Sequence, residues 1–416
     1  MKNVWILNHY AVPPGTPGGT RHFNLAKNLP AHGWQASIVA ASVEHLSGKQ
    51  RLSSGEVCRI ETCADVSFLW LRTTGYQGNG GGRMRNMLEY AWRAWRPSST
   101  KNLPRPDAVI GSSVHPFAAV AGALLARRFG VPFVFEVRDL WPQTLIDLGR
   151  IGANSLTARI MRMMERWLYR RADRIVTLLP RAVDYIAPLG VPEGKVVWIP
   201  NGVELSDFPD PGAPLPGSEG RPFNLMYFGA HGQANDLDNI LKAMKLLQER
   251  EGVARVHLRM IGDGPTKPGL LKLAQQLDLQ NVSFESPVPK SEVPTIAAQA
   301  DAFVLSVLDR PNLYRYGISM NKLYDYFAGR RPIIMASAAA NDPIHDSGAG
   351  FTVAPENPMA LAGAISELMA MPADARVEMG AAGRRYIEQN NDFAILARNL
   401  AATLDECLEN HRAKAQ

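Results

Sequence analysis

The feature that most constrains this chain is a pattern used twice. Short apolar runs of strand length alternate with segments of helical periodicity, first over residues 4–199 and again over 224–335. Such alternation predicts parallel sheets built from βαβ units, because a parallel neighbour is reached only by a crossover long enough to hold a helix. In the first half the strand candidates are residues 4–7, 35–40, 108–110, 133–136, 174–178 and 196–199. In the second they are 224–228, 256–261, 282–284, 302–307 and 332–335. The stretch 207–217 between the halves is dense in proline and glycine and lacks periodicity, which marks a linker. At 416 residues the chain exceeds one ordinary core. The expected fold is therefore α/β: two facing Rossmann-like doubly wound domains over 1–205 and 223–390, joined by a linker at 206–222, with a cleft between them. A C-terminal helix over 391–416 carries Phe393, Leu396, Leu400, Leu404 and Leu408 at helical spacing. Open sheets of this kind bind ligands beyond the carboxyl ends of their strands, so chemistry is sought in the loops that follow them.

Charge divides the halves. Residues 1–205 hold 25 Lys/Arg against 14 Asp/Glu, and residues 206–416 hold 20 against 25, so the first half is +11 and the second −5. A cationic half suggests an anionic partner: nucleic acid, an acidic membrane surface or a phosphorylated substrate. Nucleic acid is the weakest of these, since the half has neither a basic aromatic platform nor a helix-turn-helix signal. Three cysteines, Cys58, Cys63 and Cys407, make neither a zinc-ligand set nor a disulfide framework and point to a reducing, cytoplasmic setting. The amino terminus has an apolar run too short for a signal peptide, and the most apolar window, 116–126, is too short to span a bilayer. Any membrane contact is therefore expected to be peripheral.

Several strand ends carry candidate chemistry. After the first strand, Gly18-Gly19 precede a helix, where the absence of Cβ lets backbone N–H groups approach an oxyanion; a loop that merely turns is the bland alternative. His115 follows the 108–110 strand and directly precedes Pro116, a residue suited to the first helical position. Arg138 and Asp139 end the 133–136 strand, where a carboxylate can act as a base or hold a substrate hydroxyl. In the second half, Gly229 to Ala234 with His231, and Gly262-Asp263-Gly264, are glycine-rich turns straight after strands, equally readable as tight turns. Gly317-Ile318-Ser319 reads as a turn opening a helix that carries Asn321, Lys322 and Asp325. N–H groups at the helix mouth and Lys322 suit a diphosphate, and Asp325 suits the two hydroxyls of a ribose.

Two segments of the cationic half are amphipathic. Residues 83–96 set Met84, Met87, Leu88, Ala91 and Trp95 on one stripe flanked by Arg83, Arg85, Arg93 and Arg96. Residues 157–171 do the same with Ile160, Met163, Met164, Trp167 and Leu168 beside Arg159, Arg162, Arg166 and Arg170. Basic flanks with Trp and Met suit the headgroup layer of an anionic leaflet, and a core helix with a solvated cationic face has the same pattern.

Gly18-Gly19, the strand-end His115, Ile199-Pro200-Asn201-Gly202-Val203-Glu204, Gly262-Asp263-Gly264 and Leu323-Tyr324-Asp325-Tyr326-Phe327-Ala328-Gly329 with Pro332 together resemble family 4 retaining glycosyltransferases of the GT-B fold. The resemblance runs over almost the whole chain in the right order. Asn8-His9-Tyr10, Arg138-Asp139-Leu140-Trp141-Pro142 and Tyr316-Gly317-Ile318-Ser319 with Asn321-Lys322 are most similar to a bacterial branch that includes the L-fucosamine transferases of surface-polysaccharide assembly.

The resemblance implies a nucleotide sugar in the second domain, an acceptor in the first, and transfer with retention without a metal ion or other cofactor. Donor contacts then fall on Gly229, His231, Asp263, Val288, Gly317, Ile318, Ser319, Asn321, Lys322 and Asp325, acceptor contacts on Gly18, Gly19, Arg138 and Asp139, and catalytic roles on His115 and Asp139. Asp325 takes the place of the second carboxylate of the family's paired-glutamate motif, and Gly317 departs from the first. The Arg and Lys that the family tends to carry after the first strand of its second domain are absent from 229–235, so Lys322 or Arg315 is expected to supply that charge. The branch implies a UDP-sugar, an N-acetylated aminosugar, transferred to a polyprenyl-diphosphate-linked saccharide at the inner face of the cell membrane for O-antigen or capsule. A non-hydrolysing UDP-sugar epimerase and a non-catalytic nucleotide-sugar-binding protein are the competing readings.

Overall fold

The structure, a computed structural model, describes residues 1–16, 18–45, 47–76, 78, 80–208 and 221–415. Most of the proline- and glycine-rich stretch read as the linker, residues 209–220, lies outside them. The chain divides into two units, Met1–Asn201 with Phe393–Gln416, and Gly202–Asp392.

The first unit is built on strands β1 (Lys2–Leu7), β2 (Trp34–Ala41), β3 (Cys58–Cys63), β4 (Val66–Leu71), β5 (Ala108–Ser112), β6 (Phe133–Val137), β7 (Arg174–Thr177) and β8 (Val196–Trp198). They form one sheet in the order β3-β4-β2-β1-β5-β6-β7-β8, parallel except for the β3–β4 hairpin. The sequence pattern did not anticipate that hairpin. Val4 pairs with Ala36 on one side and Ala108 on the other, so β1 is central and the strand order reverses between β1 and β5. Central strands buried on both faces read as continuous apolar runs, as Val4 to Leu7 do.

The helices of this unit are α1 (Arg21–Asn28), α2 (Gly81–Trp95), α3 (Pro116–Phe129) and α4 (Leu156–Arg171), with short turns between. Pro116 opens α3, the His115 side chain caps it by accepting the Ala118 N–H, and left-handed Gly130 closes it. Gly111 on β5 lets α3 approach closely: a Cβ there would lie 2.8 Å from the Ala119 Cα. The terminal helix Phe393–Ala415 belongs to this unit, with Phe393, Leu396, Leu400, Leu404 and Leu408 in the core beside Trp34. Asp405 on that helix accepts the Trp34 Nε1–H at 2.9 Å and pairs with Lys2.

The second unit has β9 (Phe223–Phe228), β10 (Val256–Ile261), β11 (Val282–Glu285), β12 (Ala302–Ser306), β13 (Ile333–Ala336) and β14 (Gly350–Val353), all parallel, in the order β11-β10-β9-β12-β13-β14. Its order reverses between β9 and β12. The principal helices used below are α5 (Leu237–Glu251) and α6 (Asn321–Ala328). Leu323, Tyr326 and Phe327 of α6 pack into the core with Phe228 and Phe303. Among the described residues no helix is long and apolar enough to cross a membrane.

α2 and α4 depart from the amphipathic core reading. α2 buries Asn86, Tyr90 and Ala94, while Met84, Leu88, Trp92 and Trp95 are exposed, Trp92 by half. α4 buries Ala158, Glu165, Leu168 and Tyr169, leaving Leu156, Ile160 and Met163 exposed. Much of the apolar stripe read from the sequence therefore faces outward.

Candidate functional site

In the first unit the loops after β1 and β5 meet at the place where the strand order reverses, where open sheets bind ligands. His115 Nε2 lies 2.8 Å from His9 Nδ1, and both rings are buried. The tautomers follow from the backbone. His115 Nδ1 accepts the Ala118 N–H at 3.3 Å, so the ring proton sits on Nε2 and is donated to His9 Nδ1. Burial and, secondarily, the Arg83 charge push the His115 pKa down to about 3, and burial, then the neighbouring His115, lower that of His9. Both are neutral imidazoles at physiological pH.

Beneath them lies a buried polar network. Asn8 accepts the Tyr10 N–H at 3.0 Å and its amide meets His22 Nδ1 at 2.6 Å; His22 Nε2 meets Glu136 Oε2 at 2.6 Å. Arg21 donates to Glu136 Oε1 at 2.9 Å, to the Ile199 carbonyl at 2.9 Å, and to the Pro200 carbonyl. Glu136 is held well below the usual carboxylate range; burial opposes this, and His22 and Arg21 overcome it. The network fixes the β1 and β6 ends and the chain as it leaves β8. Of its side chains the sequence named only Asn8 within the resemblance; the contacts of Arg21 and His22 with Glu136 span 115 and 114 positions and leave no local signal.

Of the expected acceptor residues, Gly18 packs on Val12 and Gly19 lies near the Arg138 guanidinium. The Arg138 N–H donates to Ser113 Oγ at 3.0 Å. Asp139 is exposed at the end of β6 and helps line a small cavity with Ser113, Trp141, Glu165 and Tyr169. Glu165 there accepts the Tyr169 and Tyr185 hydroxyls, each at 3.1 Å, and burial pushes its pKa up to about 7.

In the second unit the loop after β9 is clasped by the loop after β10. A Cβ on Gly262 would lie 2.0 Å from the Gly229 carbonyl oxygen, and one on Gly264 would lie 2.4 Å from that of His231, so only glycine allows this approach. His231 N–H donates to the Asp263 carbonyl at 2.8 Å, while the Asp263 carboxylate caps the Gly264 N–H at 2.7 Å. The His231 ring is fully buried, and among the described residues neither ring nitrogen has a hydrogen-bond partner. Burial, then Lys267 and Lys322, bring its pKa down to about 4.

Lys322 of α6 reaches this loop. Its Nζ donates to the Tyr227 hydroxyl at 2.6 Å and to Asn235 Oδ1 at 2.9 Å, and its stem lies against Gly229. Among the described residues no carboxylate pairs with it, and burial lowers its pKa to about 7. Arg315, the other cation considered for this charge, is exposed and lies over the Tyr316 ring instead.

Asp325, one turn further on, is buried and paired with Lys290. Burial raises its pKa and Lys290 opposes the rise. Lys290 follows the half-buried Val288 by two residues. The Gly317 turn does not open the helix as the sequence suggested. α6 starts at Asn321 with Met320 as its cap, and the Ile318 N–H is already donated to Asn341 Oδ1 at 2.7 Å. Gly317 has φ +99°, and Ser319 Oγ sits 3.2 Å from the Tyr324 hydroxyl. Gly317 to Ser319 thus form a turn tied to Asn341, separate from the helix mouth. Among the described residues no group of three or more His, Cys, Asp or Glu is placed to hold a metal ion.

Residues 18–202 match the family described as a glycosyl transferase 4-like domain, and residues 222–371 match glycosyl transferases group 1. The chain is similar to the probable glycosyltransferase WbjE of Pseudomonas aeruginosa, 24% identical over 323 residues that cover 75% of this chain and 78% of that protein. It is also similar to the putative colanic acid biosynthesis glycosyl transferase WcaI of Escherichia coli, 25% identical over 212 residues that cover 49% and 51%. In fold it is similar to Anabaena HepE, solved in complex with UDP and glucose, at 13% identity and a TM-score of 0.67 over 97% of this chain and 99% of that one.

Proposed function

The chain is a glycosyltransferase of the GT-B type, and on that premise we propose that it moves an N-acetylated aminosugar from a UDP-sugar to a polyprenyl-diphosphate-linked saccharide, with retention and without a metal ion, in bacterial surface-polysaccharide assembly. The observation that carries this reading is the pairing of a buried, carboxylate-free Lys322 with the unpartnered His231 at a loop of closely approaching glycines. A buried cation without a counter-ion is costly unless an anion completes it. A diphosphate has the charge and the oxygen acceptors to do so. The UDP bound by HepE and the polysaccharide named for WcaI support the donor class and the pathway class.

In this reading Lys322 and His231 face the diphosphate, Asp325 accepts the ribose hydroxyls, and Val288 lies at the base. The C1–O bond to the diphosphate breaks as the acceptor hydroxyl attacks from the same face, and the hydroxyl proton passes to the departing diphosphate. Lys322 stabilises the charge that develops there, a preorganised electrostatic contribution. His115 has its Nδ1 committed to the α3 cap and its Nε2–H to His9, so it holds the loop after β5 in place and does not shuttle protons. The exposed apolar residues of α2 and α4, beside Arg159, Arg162, Arg166 and Arg170, suit the headgroup layer of an anionic membrane and support a peripheral position on the cytoplasmic leaflet in this reading.

The test is mass spectrometry of polyprenyl-diphosphate-linked N-acetylhexosamine incubated with the protein and a panel of UDP-sugars, including UDP-N-acetylfucosamine. A gain of one sugar residue that Asp325→Ala abolishes is the expected result. An unchanged lipid with an isomerised UDP-sugar would replace this reading with an epimerase.

A further inference from the structure

The ring contacts of the first unit continue past His9 and His115 into side chains that neither the motifs nor the family matches assign. The Tyr10 ring stacks on His45 with centroids 4.5 Å apart and planes 27° from parallel. His45 Nδ1 lies 2.6 Å from the Tyr76 hydroxyl. Arg83 Nε donates to the Tyr10 hydroxyl at 3.1 Å, and its guanidinium carbon is 5.5 Å from the Tyr10 ring centre. Tyr10 in turn sits 4.5 Å from the His9 ring and 6.1 Å from His115.

These residues come from separate segments: Tyr10 follows β1, His45 follows β2, Tyr76 follows β4, and Arg83 lies in the first turn of α2. With His115 after β5, they gather side chains from the carboxyl edge of one parallel sheet around the point where its strand order reverses. His45 is exposed, and Tyr10, Tyr76 and Arg83 are half-buried, so the group is held in place yet open to solvent. α2 starts without a side-chain cap at Gly80, has no acidic residue in its first turn, and carries Arg83 and Arg85 near that end. Cations there oppose the helix dipole, and a bound anion would offset both.

We propose that Tyr10, His45, Tyr76 and Arg83 form a subsite for a sugar diphosphate, the rings lying against the sugar and the guanidinium meeting the phosphates. Aromatic side chains with polar tips give a rigid contact face that also hydrogen-bonds, and an arginine fork matches phosphate oxygens in pairs. In the reaction proposed above this is the acceptor's sugar diphosphate, so the assignment rests on that reading. A UDP-sugar shares the chemistry, and the experiment separates the two sources.

Binding of farnesyl-diphosphate-linked N-acetylglucosamine and, separately, of UDP to the full chain would be measured for the unaltered protein, Arg83→Met and the double variant His45→Ala/Tyr76→Ala. The unaltered protein binds both; each variant loses about tenfold or more on the lipid-linked sugar, the scale of one lost charged hydrogen bond. UDP affinity, which reports an intact fold, stays within about twofold. No binding of the farnesyl compound to the unaltered protein, or unaltered binding in both variants, overturns the proposal. Parallel loss of UDP reassigns the cluster to the donor and overturns it too. Failure of the transferase reading looks different: the farnesyl compound binds through Arg83, and no UDP-sugar glycosylates it.

Discussion

Two buried polar clusters, one in each unit, are completed in opposite ways. In the first, Asn8, His22, Glu136 and Arg21 satisfy one another and the Ile199 and Pro200 carbonyls, and His9 completes His115. In the second, among the described residues, His231 has two ring nitrogens without hydrogen-bond partners, and Lys322 holds its buried ammonium on the Tyr227 hydroxyl and ring and the Asn235 amide, with no carboxylate. A closed network stiffens a loop whatever is bound; an open one gains its missing partner only with a ligand. In the proposed reading the first arrangement therefore serves as scaffold, and the second serves recognition. The two should separate cleanly when stability and nucleotide affinity are measured on the same variants.

The largest effect is expected where the closed network is broken. Glu136→Leu leaves Arg21 charged and buried without its carboxylate, a change of about 3–5 kcal/mol in stability. Chemical denaturation followed by a probe in the first unit should show the earliest transition move sharply to lower denaturant. If that transition does not move while UDP affinity falls, Glu136 belongs to recognition and the contrast between the units is wrong.

Lys322→Met should do the reverse. UDP affinity is expected to fall by about 10- to 100-fold, the scale of one or two charge-assisted hydrogen bonds. The ligand-free protein should melt no earlier, because a buried cation without a counter-ion is removed from an apolar setting. Calorimetric titration with UDP beside a melting curve checks both halves. A variant that loses stability and keeps its affinity would make Lys322 a structural residue.

The sequence made the parallel strands legible and the supports of the site much less so. Runs such as Val4 to Leu7 and Ile333 to Met335 declare themselves because burial on both faces demands uninterrupted apolar side chains. The β3–β4 hairpin hides because its turn is Ala64-Asp65, both at positive φ, where Asn-Gly would have announced it. β3 also sets half-buried Arg59 and Glu61 on one face and exposed Ile60 and Thr62 on the other, and so lacks a strong apolar signal. His115 was visible because a strand end and a following proline fix its place. His9 was named only within the Asn8-His9-Tyr10 resemblance, and its contact with His115 was not legible, since it spans 106 positions. Lys322 was a named candidate, but its approach to Tyr227, 95 positions away, depends on how α6 packs beside β9. The turn at Gly317 misled for a local reason: Asn341 takes the Ile318 N–H, and the helix starts at Asn321.

Protonation offers a finer test of the open arrangement. In the free protein Lys322 titrates near 7, and a neighbouring dianion must raise that value, so binding takes up a proton above neutrality. Affinity for a UDP-sugar should then fall as pH rises from about 7, by up to about tenfold per unit until the bound-state pKa is reached. Lys322→Met should flatten that slope. For the ligand-free fold the sign is opposite: the lysine binds fewer protons folded than unfolded between about 7 and 10.5, so its contribution to stability rises with pH across that window.

The smallest effect is expected at Lys290, which closes a polar pair with Asp325, one turn along α6 from Lys322. Asp325 is buried and its pKa is raised; Lys290 opposes the rise and so favours the ionised form that the proposed ribose contact needs. Lys290 is exposed enough for water to replace much of that support, so Lys290→Met should weaken UDP binding by only about two- to fivefold at pH 8. The loss should grow toward pH 5.5, because an Asp325 without its ammonium takes up a proton at higher pH, and Lys290→Arg should restore the profile. Titrations at the two pH values, with Asp325→Asn as the reference for a lost carboxylate, decide it. A pH-independent loss would mean that Lys290 touches the nucleotide directly, and the second unit would then hold a second cation waiting for its anion.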